Sequence, residues 1–155
     1  MLKPLFTRRV AAATLFLSAI AYAAPHDSWN YITRSPDGLV SFYGDHKSIT
    51  VREAIRRARV LYNYKEPQLD PDTLVTTRST IAVTLADCRN RKLAGIEGTD
   101  YAGPMGSGKI VSRSRQLPNA APEYVEAKSG SADEAVLNYI CGTPHAAKLR
   151  DAAAR

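Results

Sequence analysis

Alternating apolar and polar residues mark the stretch 76–88 as the clearest β-strand of the chain. Ile81, Val83 and Leu85 fall on one face of an extended segment, and a threonine or alanine stands at each position between them. A period of two is typical of a strand within a sheet, and the β-branched residues add to that preference. This stretch therefore predicts a central strand.

Shorter β-branched and aromatic runs predict the other strands. Residues 35–38 contain Pro-Asp-Gly, a strong turn signal, so the runs on either side form a hairpin. The residues of 51–64 are ambiguous, because helix formers precede an alternating pattern, and we favour a strand over 56–64. A turn is expected at 44–47 and a loop at 65–74. The strand-forming runs are 29–32, 39–43, 48–51, 56–64, 76–88, 91–101, 109–115 and a short 124–126.

One helix is predicted near the end of the chain. Ser131 and Glu134 have the spacing of a capping box, in which each side chain bonds a free backbone amide of the first turn. The apolar residues that follow share one helical face, and the helix is expected to stop near Gly142. Together these elements predict an α+β domain: an antiparallel sheet of about six short strands with one C-terminal helix packed on it.

The first 23 residues have the pattern of a secretory signal peptide. Three basic residues precede a charge-free apolar stretch of about fifteen residues, shorter than the roughly twenty that a membrane-spanning helix needs. Ala21-Tyr22-Ala23 fits the cleavage pattern, and a buried N-terminal helix is the alternative. No cysteine lies near the cut, so we expect an exported protein, periplasmic or secreted and not lipid-anchored. The expected organisation is a signal peptide (1–23), one domain (24–142) and a flexible or helical tail (143–155).

Composition and charge narrow the function classes. The chain has 21 Lys and Arg against 15 Asp and Glu, a net charge of +6, of which the predicted signal peptide carries +3. The remaining +3 does not call for a nucleic-acid partner, and we expect none. Apolar residues make up 45% and charged residues 23%, the balance of a globular domain and not of a disordered chain.

Cys88 and Cys141 are the only two cysteines of the chain. An even number in an exported protein favours a disulfide, with two free buried thiols as the alternative. A metal site is less favoured, because two cysteines and three scattered histidines have no ligand spacing.

Two groups of basic residues form the candidate binding site. The x-basic-basic-x-basic-x spacing of 55–60 is often seen where proteins bind polyanions, and arginines on one strand face can hold sulfates or phosphates through paired hydrogen bonds. A solvated strand face is the ordinary alternative. Three tyrosines, Tyr62, Tyr64 and Tyr101, are candidates for the rim of a protein-binding patch or for packing on the core. The candidate polyanion-binding residues are Arg56, Arg57, Arg59, Arg89, Arg91 and Lys92.

A glycine-rich segment, 103–109, matches the first seven positions of a phosphate-binding loop. Such a loop also needs a hydroxyl for Mg²⁺ and a following helix that directs its amides at the anion. Ile110 stands at the hydroxyl position, and the residues after it are β-like. We expect a tight turn between two strands and no nucleotide binding.

Catalytic patterns are weak in this sequence. It contains no G-x-S-x-G elbow, and none of the histidines has a telling context. Asp70 and Asp72 lie in a proline-containing loop with too few regularly spaced oxygen ligands for calcium. We expect no enzyme activity, no catalytic residue, no metal and no cofactor.

Several landmarks follow one another in a fixed order. They are Trp29, the run 87–91 around Cys88, the glycine turn 101–108 and the helix that ends in Tyr-Ile-Cys-Gly at 139–142. In this order the chain resembles the surface-adhesin protein E family of Gram-negative bacteria, over about 29–142. The resemblance implies a helix packed on a six-stranded antiparallel sheet, with the two cysteines bridged.

The resemblance also implies a function. A characterised member of the family is a lipid-anchored adhesin that binds host matrix and serum proteins and can form dimers. This sequence differs from it in lacking the lipobox cysteine and in carrying Tyr124 where many relatives have tryptophan. We therefore expect an exported, non-enzymatic, adhesin-like binding protein whose partners are host extracellular-matrix or serum proteins or anionic glycans. The alternative is a structural or stress-related periplasmic protein without a dedicated ligand.

Overall fold

The computed structural model describes residues 29–71 and 73–142. The predicted signal peptide (1–23), residues 24–28, Asp72 and the predicted tail (143–155) lie outside the described residues. In the part that is described, no helix has the length and apolar composition needed to cross a membrane.

The chain folds into one antiparallel sheet and one helix, as predicted. Six strands lie side by side in sequence order, and a two-residue strand, β7, pairs with β5 beyond the end of β6. The predicted hairpin at the start of the domain is present, since β1 pairs antiparallel with β2. The elements are β1 (Trp29–Arg34), β2 (Val40–Arg52), β3 (Ile55–Leu69), β4 (Thr76–Asp87), β5 (Lys92–Tyr101), β6 (Ile110–Arg115), β7 (Val125–Glu126) and α1 (Ala132–Gly142).

Helix α1 covers only one face of the sheet and builds the core there. Val136, Leu137 and Ile140 are fully buried and pack against apolar side chains of β2, β3 and β4. Removing such apolar side chains from water is the main favourable contribution to folding, at about 25 cal/mol per Å². The opposite face of the sheet is covered by no helix among the described residues. Every second side chain of each strand points to this face.

The predicted cap starts α1. The Oγ atom of Ser131 accepts a hydrogen bond from the backbone N–H of Glu134 at 3.2 Å. The Glu134 carboxylate reaches back, but to the N–H of Gly130 at 2.7 Å and not to that of Ser131, which bonds the carbonyl of Lys128. Ser131 therefore satisfies a free amide of the first turn as in a capping box, whereas Glu134 holds the residue before the cap.

A disulfide joins the end of α1 to the end of β4. Cys88 and Cys141 are bonded, with their Cα atoms 5.8 Å apart and a sequence separation of 53. Of the alternatives that the sequence leaves open, the structure has the bridge and not two free thiols. The bond closes a loop that contains β5, β6 and β7.

The turn predicted at 44–47 is wrong, because β2 runs through this segment with a bulge. Asp45 pairs with Arg59 and Thr50 pairs with Arg57, so four residues of β2 lie opposite one residue of β3. Ser48 replaces the missing ladder contacts, since its Oγ accepts from the N–H of Arg59 at 2.8 Å and donates to the carbonyl of Asp45 at 2.7 Å.

The loop predicted at 65–74 is partly wrong, because β3 extends to Leu69. The pairing of β3 with β4 shifts after Asn63 and resumes at Gln68 with Thr77. Pro67 lies within this irregularity, where a residue without an N–H removes no ladder bond. Pro67 therefore marks a bulge and not the end of the strand.

Candidate functional site

The face of the sheet opposite α1, here called the open face, is organised in rows that cross all six strands. The antiparallel registers place six side chains of one row next to each other, from the β6 edge to the β1 edge. Directly opposite residues have Cβ atoms about 5 Å apart, so neighbours in a row interact. This charged row consists of Arg115, Glu97, Val83, Arg59, Asp45 and Trp29.

Opposite charges pair along the charged row. Arg115 lies 3.5 Å from Glu97, and Arg57, one row away, lies 3.6 Å from the other oxygen of the same carboxylate. Arg59 lies 3.6 Å from Asp45, and its guanidinium stands 5.3 Å from the centre of the Trp29 ring. Each contact fixes a guanidinium over the sheet, and the cation–π contact links the arginines to the aromatic edge.

A second row is aromatic at the β1 edge and apolar at its centre. The rings of Tyr31 and Tyr43 meet edge to face with centres 5.6 Å apart. Tyr31 is 57% exposed, whereas Leu61 at the middle of the row is fully buried. The row consists of Arg113, Thr99, Ile81, Leu61, Tyr43 and Tyr31.

The glycine-rich segment folds over the open face beside this second row. The N–H of Met105 donates to Asn63 Oδ1 at 2.7 Å, and the N–H of Gly106 donates to Ser79 Oγ at 2.9 Å. Ser79 Oγ donates in turn to the carbonyl of Gly103 at 2.6 Å. The amides of this turn therefore bond side chains of the sheet, and the next element is strand β6, as predicted.

A hollow of about 490 Å³ lies on the open face below the charged row. Arg52 and Arg57 line it on the charged side, and Ile55, Leu85 and Tyr124 supply apolar surface. Burial and the nearby Asp87 carboxylate raise the pKa of Tyr124 above its ordinary value. Glu53 also lines the hollow, so its wall carries charges of both signs beside the apolar surface.

The comparisons with known proteins agree with this architecture. A family model described as surface-adhesin protein E matches residues 29–142. This chain belongs to the surface-adhesin protein E family. Surface adhesins are exported or surface proteins, and this family is one of surface adhesins. The resemblance predicted from the sequence is therefore confirmed. No curated protein matches the chain.

Solved structures of protein E have the same fold as this family member. A crystal form of Haemophilus influenzae protein E matches with a TM-score of 0.52 and 19% identity, over 72% of this chain and 87% of that chain. Protein E from non-typeable Haemophilus influenzae matches with a TM-score of 0.52 and 20% identity, over 80% of this chain and 86% of that one.

Of the six basic residues predicted from the sequence, this family member places two together on the open face. Arg57 and Arg59 lie there in adjacent rows. Arg56 lies on the opposite face, is only 9% exposed, and donates from Nη1 to the carbonyl of Ile140 at 2.9 Å. Arg56 therefore ties β3 to the last turn of α1.

The other three predicted residues lie at one end of the sheet: Arg89 and Arg91 are in the turn between β4 and β5, and Lys92 begins β5 opposite Asp87. Arg89 and Lys92 are exposed there, and Arg91 pairs with Glu134 of α1 at 2.5 Å. The Asp87 carboxylate accepts from the N–H groups of Asn90 and Arg89, and these bonds hold its pKa below the usual value. The six residues therefore do not form one site: Arg57, Arg59 and Lys92 lie on the open face, Arg89 and Arg91 lie in the turn, and Arg56 lies on the α1 side.

Sequence reasoning missed three arginines of the open face. Arg113 and Arg115 project from β6 next to Thr99 and Glu97, and Arg52 stands at the end of β2. The two-residue spacing in β6 was a usable signal, since alternate residues of a strand share a face.

The three tyrosines singled out as a possible patch do not meet, because Tyr62 and Tyr64 face the α1 side and Tyr101 pairs with Ser79 on the open face.

The described residues offer little for metal chemistry. Within 29–71 and 73–142, no group of three or more histidine, cysteine, aspartate or glutamate side chains could hold a metal ion.

Proposed function

We propose that this protein is an exported, non-enzymatic, adhesin-like binding protein of the bacterial envelope, and that the open face of its sheet is the binding surface. Its partners are host extracellular-matrix or serum proteins, or anionic glycans. The observation that carries the proposal is the set of five arginines that share this face, Arg52, Arg57, Arg59, Arg113 and Arg115, three of which pair with Glu97 or Asp45.

The arrangement suits sulfate and carboxylate groups. A guanidinium presents several N–H donors in one plane and bonds an oxyanion through two of them at once. Glu97 lies between Arg57 and Arg115, so it holds both side chains extended over the sheet before any ligand arrives. Such preorganisation reduces the entropy that binding would otherwise cost.

The aromatic edge supports a protein partner in particular. Trp29, Tyr31 and Tyr43 occupy the β1 and β2 ends of the two rows. Tryptophan, tyrosine and arginine are the residues that most often dominate the energy of protein interfaces. A partner that carries acidic groups beside an apolar anchor would engage both halves of the face, and a homodimer could present two such faces.

Export would bring this surface to its partners. We infer that residues 1–23 direct secretion and that the mature chain is periplasmic or secreted without a lipid anchor. The disulfide between Cys88 and Cys141 fits an oxidising compartment, since such bonds persist outside the cytosol.

The experiment that tests this function separates surface display from periplasmic confinement. Antibody labelling of intact cells, followed by fractionation, should place the mature protein on the surface or in the medium. Purified mature protein should also bind immobilised extracellular matrix, and replacing both Arg57 and Arg59 by Ser should weaken that binding. Confinement to the periplasm, with no matrix binding, would favour the structural or stress-related alternative.

A further inference from the structure

The half of the α1 side of the sheet that α1 leaves uncovered forms a cleft. The helix packs over β1, β2 and β3 and over the ends of β4 and β5 at Ala86 and Leu93, whereas the rest of β4 and β5, with β6, contributes a row of small residues, Ala82, Gly98 and Ser114. These side chains leave the sheet backbone open to a volume of about 520 Å³. Pockets of 300–1,000 Å³ are the usual size for small ligands.

Two tyrosines and a loop make the walls of this cleft. Tyr62 and Tyr64 of β3 line one side, and Gln116 and Glu123, from the segment after β6, line the other. Gln116 donates through Nε2 to the carbonyl of Ala121 at 2.7 Å, which holds the loop in place. The cleft thus combines flat rings, a floor of small residues and polar side chains.

A directional chain of hydrogen bonds crosses the cleft at one end. Thr80 Oγ1 donates to Asp100 Oδ1 at 2.6 Å, so its single proton is committed. Tyr64 lies 3.2 Å from Thr80 Oγ1 and must therefore donate its own proton to it. The chain leaves the lone pairs of the Tyr64 oxygen to accept a hydroxyl proton from a ligand.

The charges around the cleft exclude anionic ligands. Glu123 lines it, and Asp100 lies directly beside Thr80, whereas the Glu97 carboxylate belongs to the open face. Arg115 is the one basic residue among the lining residues, and its guanidinium lies on the open face, paired with Glu97 at 3.5 Å. An anion would therefore meet net negative charge here, in contrast to the arginine-rich open face.

We propose that this cleft binds an uncharged saccharide, one or two pyranose rings in size. A sugar offers hydroxyl groups that both donate and accept, which matches the carboxylates, amide and hydroxyls of the walls, and apolar ring faces that pack on tyrosine. The site is on the face opposite the proposed adhesive surface, so the two can be tested separately.

Gly95 provides a substitution that fills the cleft with little risk to the fold. It lines the cleft, and a Cβ built on it would meet nothing within 4 Å. Gly95→Leu should therefore occupy the ligand volume, whereas Gly95→Ala is the matched control that leaves most of the volume open. Thr80→Val removes the hydroxyl that links Tyr64 to Asp100 and keeps the side-chain shape.

The test is saturation-transfer NMR with D-glucose, D-galactose, D-mannose and N-acetyl-D-glucosamine at millimolar concentration. A heparin tetrasaccharide and spermidine serve as anionic and cationic comparators. At least one neutral sugar should give a signal that Gly95→Leu weakens at least tenfold and Gly95→Ala preserves. The double change Arg57→Ser and Arg59→Ser should leave this signal unchanged, even if it removes adhesion.

Three results would overturn the saccharide site. The first is no signal from any sugar with the folded protein. The second is a sugar signal that Gly95→Leu and Thr80→Val both leave intact, which would place binding elsewhere. The third is competition for the cleft by spermidine alone, which would mean that its negative lining selects cations.

Discussion

The ring of Tyr139 in α1 lies directly on the backbone of Gly44 in β2. A Cβ atom built on Gly44 would lie 2.1 Å from Tyr139 Cε1, far inside van der Waals contact. The Tyr139 hydroxyl donates to the carbonyl of Gly44 at 3.0 Å and accepts from Asn30 Nδ2 at 3.1 Å. The end of the helix is therefore seated where the sheet has no side chain.

This contact predicts that Gly44→Ala destabilises the domain. The added methyl must displace the Tyr139 ring, and overpacking of this kind costs about 1–3 kcal/mol. Gly95→Ala is the matched control, since its new methyl meets nothing within 4 Å. Urea unfolding should show a lower midpoint for Gly44→Ala only, and equal midpoints for both variants would contradict the seating of the ring.

The disulfide predicts a second loss of stability. Replacing Cys88 and Cys141 together by Ser releases a loop of 53 positions, for which the chain-entropy model gives about 4 kcal/mol. Thiol titration of the denatured, unreduced mature protein should find no free thiol. Two free thiols, or a double variant as stable as the parent, would remove the bridge from this account.

Local signals in the sequence were enough for the elements but not for every strand boundary. Alternation in 76–88, the Ser131 and Glu134 pair and the two cysteines correctly predict a strand, a helix start and a bridge. The bulge in β2 depends on Ser48 meeting Arg59 of another strand, a contact with no local signal. The turn-forming residue types at 44–47 therefore predict a turn, where the structure has a bulged strand.

The candidate site was half predictable for the same reason. Alternation places Arg57 and Arg59 on one face and Arg56 on the other, but only the packing of α1 decides which face stays open. The pairing of Arg115 with Glu97 depends on the register between β5 and β6. Register is a property of two strands together, and a single segment does not contain it.

The glycine turn predicts opposite outcomes for two neighbouring substitutions. Gly106 has a φ of 70°, and a Cβ there would lie 2.7 Å from Ile81 Cδ1. Gly106→Val should therefore destabilise the domain, whereas Lys109→Ala, at an exposed position, should change stability by no more than about 0.5 kcal/mol. Thermal unfolding of the two variants compares them directly.

Titration with Mg-ATP examines the competing phosphate-loop interpretation of the same residues. We expect no binding heat, because the amides of Met105 and Gly106 already bond Asn63 and Ser79. A stoichiometric site that Lys109→Ala abolishes would contradict the turn.

Tyr62 predicts a loss of stability at high pH. Burial, and then the nearby Asp133 carboxylate, raise the pKa of Tyr62 from 10.0 to about 12. Because the pKa of Tyr62 is higher in the folded than in the unfolded protein, the neutral side chain contributes to the free energy of unfolding. This contribution, about 2–3 kcal/mol, is complete below pH 10 and is lost as the pH rises through about 12. Urea titrations between pH 9 and 12 should show that the free energy of unfolding falls less steeply with pH for Tyr62→Phe than for the parent. Parallel curves would contradict this assignment.

Salt elution from a heparin column tests the central claim that the open face binds anionic partners. Replacing Arg57 and Arg59 by Ser removes two charges from that face, and replacing Arg89 and Arg91 by Ser removes two from the turn between β4 and β5. Because exposed charges are screened within about 8 Å at physiological salt, position and not only net charge should decide retention. The open-face variant should elute at clearly lower salt than the turn variant, which should stay near the parent. Equal shifts, or a larger shift for the turn variant, would contradict the account.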